Sequence, residues 1–465
     1  MENEAKKRNS FTGSIGFVLA AAGSAVGLGN IWRFPYLAAR DGGGLFLLIY
    51  LILTLTFGFT LLTTEVAIGR KTKQSPLTAY GKLKKHWKPL GIMACIIPMI
   101  IMPYYCVIGG WVVKYFLTFL TGSGAQTAED GYFNAFISDS SSPIGMTIVF
   151  LFLTVIIVLG GVDKGIERFS KVVMPALVLL IVVIAIFSIN QSYEAADGTV
   201  RTGLQGLKIL FVPDVSELTV KSFFTTLMDA MGQLFYSLSV AMGIMIAYGS
   251  YMKDDSNLSK SIVQIEVFDT GIALLAGIMI IPAVYVFMGK DGMQAGAGLM
   301  FVSLPKVFMQ MGRIGGLVGC LFFAMVLFAA TTSAVSILEA VVSSFMDQFH
   351  CSRKMAVLGE GAIALILGII VCMGYDNLNF ELKIPNNPNA RILDIMDYVS
   401  NNLLMPIVAI GTCILVGWIL KPKFIIDEVT KNGEKFGRKG LFIVMIKFVA
   451  PALLGVLLLM AVGVI

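Results

Sequence analysis

Long apolar runs separated by short clusters of Lys, Arg, Asp and Gly organise this chain from residue 12 to its end. An α-helix needs about 20 residues to cross ~30 Å of hydrocarbon. Scanning with that window gives eleven runs: 12–36, 42–69, 90–120, 144–160, 168–188, 224–248, 261–288, 314–346, 355–374, 394–420 and 441–465. None alternates apolar and polar residues in ten-residue units, as a membrane β-strand does. The predicted architecture is therefore all-α and polytopic, with eleven transmembrane helices. The first run is too long for a cleavable signal peptide, and no small-residue cleavage site precedes a soluble region.

Composition agrees with the pattern. Hydrophobic residues make up 57% and charged residues 14% of 465, and mean hydropathy is +0.83. Soluble domains are about half apolar and a quarter charged, so lipid must solvate much of this surface. Of the 35 Lys and Arg, 24 fall in the tail and loops that share one side if the N-terminus is internal, and nine fall on the other side. The positive-inside rule then predicts a cytoplasmic N-terminus and, with an odd number of spans, an external C-terminus in the cell membrane. The net charge of +6 is a topology signal, and no nucleic-acid partner is expected. The six cysteines fall in spans or an internal loop, so no disulfide is expected. His86 and His350 sit in separate internal loops, which argues against a histidine metal site or nucleophile.

Two spans carry residues that oppose a continuous helix. Span 1 contains "AAAGSAVGLGNIWRFPY" (20–36), and span 6 contains "GQLFYSLSVAMG" (232–243). Glycine costs a helix ~1 kcal/mol relative to alanine, and serine competes for backbone hydrogen bonds. Small residues also serve close helix packing. Taken together, the two stretches open two groups of five spans, and an odd five-span unit repeated once must be inverted in the bilayer. Interrupted helices at matching positions of inverted halves point to a transporter site at the midplane. The expected division is 1–188 (first repeat with a basic tail), 189–223 (external loop), 224–420 (second repeat) and 421–465 (internal loop and helix 11). By depth, Asn30, Glu65, Asp269, Thr332 and Ser333 fall near the middle of their spans, where polar groups are costly and usually functional.

"GSAVGLGNIWRFPY" followed by Gly42–Gly44, "KGIERFSKVVMPAL" (164–177), "GQLFYSLS" (232–239) and "TTSAVS" (331–336) occur in order. In these motifs the chain resembles the neurotransmitter:sodium symporter family over nearly its whole length. An end after span 11 is similar to a bacterial subset of that family. The resemblance implies the LeuT-type 5+5 inverted repeat, with helices 1 and 6 discontinuous, and a Na⁺-driven amino-acid importer working by alternating access.

Carried over by position, the resemblance implies two sodium sites. The first would use the carbonyls of Ala25 and Ser237, the Ser237 hydroxyl, Asn30 and Asp269. The second would use the carbonyls of Gly23, Val26 and Ala329 with the hydroxyls of Thr332 and Ser333. The substrate carboxylate would meet the amides of Gly27 and Gly29, with Leu28 between them, and the Tyr105 hydroxyl. The amine would meet carbonyls of Ala25, Tyr236 and Ser237 and the Ser239 hydroxyl. Ser24, Ile101, Tyr236, Met242, Ser333 and Ile337 would wall the side chain. That wall is mainly apolar and uncharged, which favours a neutral, apolar amino acid. Tyr236 stands where the family usually has phenylalanine, and Ala241 where many members have glycine.

The resemblance also implies gates: Arg33 with Asp397 outside, near Gln233, and Arg8 with Asp347 inside, near Tyr251. Animal members hold a chloride beside the first sodium, at positions that match Tyr50, Gln233 and Ser237. Here Asp269 replaces their neutral asparagine, so no chloride requirement is expected. A transporter of the same fold for another small organic acid or amine is the alternative. An enzyme is not expected, because no nucleophile–base pair, metal motif or phosphate loop is present.

Overall fold

The computed structural model describes residues 10–139, 141–194, 198–216, 218–293, 296–385 and 387–464. Among them nine helices are long and apolar enough to span a bilayer. They are α3 (Gly44–Thr72), α4 (Lys85–Leu120), α5 (Ser141–Leu159), α6 (Val162–Ile189), α9 (Leu258–Met288), α10 (Gly312–Phe349), α11 (Arg353–Met373), α12 (Ile392–Ile419) and α13 (Lys439–Ala461). A tenth span is the pair α1 (Ser14–Ala25) and α2 (Gly29–Arg40), bent by 54°. The run expected as span 6 is also two helices, α7 (Val220–Leu238) and α8 (Ile244–Tyr251), parted by five residues. α7 is as long as α5, at 19 residues, but less apolar, and α8 has only eight residues, so among the described residues length and composition give ten spans.

The broken helices sit inside a ring of unbroken ones. α1 packs against α6, α9 and α10, while α8 packs against α3 and α10. All eight residues of α8 are buried. At the periphery, 28% of the apolar window of α13 is buried, against 72% for α4. α13 therefore presents most of its surface to lipid, and α4 belongs to the interior. Tight backbone approach joins α3 to α8: a Cβ on Gly69 would lie 2.0 Å from the Ile246 carbonyl oxygen, and one on Gly249 would lie 2.4 Å from that of Val66. Two short antiparallel hairpins, Ser192–Glu194 with Val200–Thr202 and Leu382–Ile384 with Asn387–Ala390, lie in the loops.

Both interruptions are narrower than the small-residue stretches suggest. Gly23 is helical, and α1 ends at Ala25, where Val26 leaves the helix (φ −79°, ψ 87°). In the second break Ser239 (φ 52°), Ala241 (φ 64°) and Gly243 (φ 76°) are left-handed. Non-glycine residues there cost roughly 1–2 kcal/mol each, so the break must be held from outside. Buried Glu65 does this: its Oε1 accepts the Ala241 N–H at 2.6 Å.

Candidate substrate and ion site

The two breaks face each other and share hydrogen bonds. The Ser24 carbonyl, freed where α1 ends, accepts from the hydroxyls of Ser239 (3.0 Å) and Ser333 (3.2 Å). The Ser24 hydroxyl donates to Ser239 Oγ at 3.1 Å. On the α2 side Gln233 donates Nε2 to the Gly29 carbonyl at 3.1 Å, while its buried Oε1 has no hydrogen-bond partner. Irregular backbone at this depth is thus satisfied by protein, as a bilayer requires.

Between the breaks lies a cavity of about 30 Å³. Its walls are Ser24, Gly27, Ile101, Tyr105, Tyr236, Ser239, Met242, Ser333 and Ile337. A space of this size holds roughly two waters, so a large side chain enters only if the lining side chains move apart. The glycine surface is tight. A Cβ on Gly27 would lie 2.7 Å from Ser333 Oγ, and one on Gly29 would lie 2.4 Å from the Tyr236 ring. The Tyr105 hydroxyl is buried without a well-formed hydrogen bond, with the Leu28 amide and Ser333 hydroxyl as polar neighbours. Every residue expected to wall a substrate side chain therefore lines one cavity, beside Gly27 and an unspent hydroxyl.

Three of the residues expected at the first sodium site form one buried cluster. Asn30 Nδ2 donates to Asp269 Oδ1 at 2.8 Å, and the Ser237 hydroxyl donates to the same oxygen. Tyr50 donates its hydroxyl to Asp269 Oδ2 at 3.2 Å. Asn30 and Asp269 are 0% exposed, so this carboxylate is balanced only by short polar contacts. The cluster suits a hard cation, which wants several oxygens at once. Ala25, at the end of α1, is buried.

At the second expected set, Gly23 faces Thr332: a Cβ on Gly23 would lie 3.3 Å from Thr332 Cβ. The Thr332 hydroxyl donates to its own helix, at 3.0 Å from the Ala329 carbonyl and 3.2 Å from that of Phe328. Ser333 turns its hydroxyl to Ser24. Each hydroxyl spends its proton on a carbonyl and keeps its oxygen lone pairs free for an ion. Val26 is buried at the start of the first break.

Of the expected gate residues, Arg33 lies within electrostatic reach of Asp397. Arg33 and Asp397 form no ion pair. The Asp397 carboxylate is already held by Tyr104 OH (3.1 Å) and Asn401 Nδ2 (2.6 Å), and Arg33 lies beside Gly232. On the other face Arg8 lies outside the described residues. Asp347 accepts the Ser75 N–H at 2.6 Å, and Tyr251 donates to Glu339 at 2.7 Å. Glu339 is in turn clamped by both guanidinium nitrogens of Arg353, each at 2.7 Å. Ahead of α1, Phe11 plugs this face: its amide donates to the Tyr251 carbonyl, and its ring packs edge-on against Phe17, Tyr248 and Tyr251. The roles of Tyr104, Asn401, Glu339 and Phe11 carry no local sequence signal, because their partners are distant in the chain.

A sequence model of the sodium:neurotransmitter symporter family matches residues 8–135 and 136–465. The chain is 32% identical over 468 residues to the uncharacterized sodium-dependent transporter YhdH of Bacillus subtilis, covering 99% of each. It is 24% identical over 483 residues to the human sodium- and chloride-dependent GABA transporter 2, covering 92% of this chain and 76% of that one. The crystal structure of MhsT in complex with L-phenylalanine superposes with a TM-score of 0.84 at 35% identity, covering 98% of this chain and all of that one.

Proposed function

The chain belongs to the sodium:neurotransmitter symporter family, and from that premise we propose that it imports a neutral, mainly apolar amino acid with Na⁺ by alternating access. The observation that carries this reading is the cavity between the two breaks. It places an apolar wall (Ile101, Met242, Ile337) opposite the backbone at Gly27 and the unpartnered Tyr105 hydroxyl. An amino acid needs both: donors for its carboxylate and an uncharged wall for its side chain. The similar MhsT structure holds L-phenylalanine, an amino acid of this class.

Two sodium sites follow from the same reading. Asp269, Asn30 and Ser237, with the Ala25 carbonyl, hold the ion next to the substrate. Gly23, Val26, Ala329, Thr332 and Ser333 hold the other. Asp269 supplies the negative charge that chloride would otherwise bring, so transport needs no chloride. The N-terminus and the Phe11 plug face the cytoplasm, and the C-terminus is external. Arg33 and Asp397 close the outer path in other states of the cycle, Gln233 lies beside them, and Arg8 and Asp347 with Tyr251 close the inner one.

Thermal melting of the purified protein with each of the twenty amino acids, in Na⁺ and in K⁺, tests this directly. Ligand at 100 times its Kd adds about 2.7 kcal/mol to the native state. We expect a shift for one or more apolar amino acids in Na⁺ alone. Shifts that are equal in K⁺, or no shift with any amino acid, refute the assignment.

A further inference from the structure

Seven Asp and Glu side chains are buried among the described residues, and six have partners. Glu65, Glu167, Glu266, Asp269, Glu339 and Glu428 each accept a hydrogen bond or pair with Lys or Arg. The seventh, Glu360, is 0% exposed, and neither of its carboxyl oxygens has a hydrogen-bond partner. It is the eighth residue of α11, so it lies about 10 Å along the axis from Arg353.

The elements around it offer no counter-charge. α11 packs against α4, α5 and α10, and touches the first turn of α12. α5 has no ionisable side chain. On α4 the thiols of Cys95 and Cys106 lie within electrostatic reach of Glu360, while Lys85, His86 and Lys88 are exposed at the helix end, Lys114 is far along it, and Tyr104, Tyr105 and Tyr115 are neutral phenols. α10 brings Arg313, exposed at its start, with Cys320, Glu339 and Asp347. α12 brings Asp394 and Asp397, and α11 itself Arg353, Lys354 and Cys372. Arg353 is committed to Glu339, and Lys354 is exposed. An isolated carboxylate is too costly to leave in such a place. The neutral acid is far cheaper but still leaves O–H and C=O unmatched. Leucine would fill the space without that cost, so static packing does not account for the group.

We propose that Glu360 is a proton-binding site of the transport cycle, neutral in the conformation described here and ionised where α11 parts from α4 and water reaches it from the Lys- and Arg-rich inner face. In that step the Glu360 O–H bond breaks, the proton passes to water and the electron pair stays on the carboxylate. α4 carries Ile101 and Tyr105, and α10 carries Thr332 and Ser333. The packing that protonation favours is therefore the packing that shapes the cavity and the second ion set. Because the buried position selects the neutral form, lower pH favours this conformation and higher pH the hydrated one. The inference rests on reading the chain as an alternating-access Na⁺ symporter.

Infrared difference spectra of the purified full-length protein, Na⁺ minus K⁺ at fixed pH and chloride, test it without a substrate. We expect a carboxylic-acid C=O band whose intensity differs between the two cations and declines as pH rises. The band should be lost in Glu360→Gln and again in Glu360→Leu. Both variants should melt at or above the wild-type temperature, since neither buries a charge, and loss of fold in both overturns the neutral state. Spectra of wild type and Glu360→Gln that change with Na⁺ but overlay overturn the proton site alone. No Na⁺-induced change in either protein overturns both the proton site and the sodium-coupled cycle.

Discussion

The Tyr105 hydroxyl lies in the cavity wall 3.5 Å from where a Gly27 Cβ would be, and no protein group makes a well-formed hydrogen bond to it. Tyr105→Phe removes that oxygen and little else. A buried polar group without a partner costs about 1–3 kcal/mol, so the unliganded protein should keep its stability or gain part of that amount. Binding should move the other way. A hydrogen bond to a charged carboxylate is worth about 1.5–3 kcal/mol, which is roughly ten- to hundredfold in Kd. The measurement pairs an unliganded melting curve with equilibrium binding in Na⁺ of the amino acid that shifts the wild type most. Most mutations that weaken binding also loosen the fold, so a stable protein with weakened binding is a specific outcome. A fall in unliganded melting temperature would show that the hydroxyl has a structural partner. A Kd within threefold of wild type would remove Tyr105 from the substrate site.

Thr332→Ala with Ser333→Ala should cost little stability, since the Thr332 hydroxyl bonds only its own helix and the Ser24 carbonyl that Ser333 serves keeps its bond from Ser239, yet weaken Na⁺ by tenfold or more; unchanged Na⁺ dependence refutes the second site. Uptake by the wild type should be indifferent to replacing chloride with gluconate, and Asp269→Asn should be inactive or newly chloride-stimulated; a chloride requirement in the wild type refutes the charge-balance argument. Ala241→Gly relieves a left-handed alanine (φ 64°) and should stabilise by about 0.5–1 kcal/mol; a lower melting temperature would show that the strain is not there.

Spans, breaks and the buried polar cluster at mid-span were largely legible in the sequence, for different reasons. Length and hydropathy mark the spans, 224–248 included, but they do not show that this run is two helices, of 19 and 8 residues, parted by five. Small residues marked both breaks without giving their edges. Gly23 is there to face Thr332 inside a regular helix, and Gly232 lies within α7; unwinding begins only after Ala25 and Leu238. Composition does not separate glycine used for packing from glycine used for unwinding. Asn30 and Asp269 were readable because a polar group at mid-span has few other uses, whereas Ser237 was joined to them by the family resemblance. Glu65 was visible as a deep carboxylate, yet its bond to the Ala241 amide, 176 positions away, is a tertiary fact. The same holds for Tyr104 and Asn401, which hydrogen-bond the Asp397 carboxylate that the family resemblance pairs with Arg33.

The collisions that any side chain would meet at Gly27 and Gly29 also limit how a protein like this one can change over generations. On the backbone side of the cavity a single substitution drives a Cβ into Ser333 or the Tyr236 ring, so no small step leads to a new way of gripping the cargo's common end. The opposite wall is made of side chains. Ile101, Met242 and Ile337 are apolar side chains with no hydrogen bond to lose, so they can be exchanged for residues of other size. On the function proposed above, variation is thereby channelled: descendants of this chain can drift from one cargo to another through three positions, while the backbone half of the pocket stays closed to gradual revision.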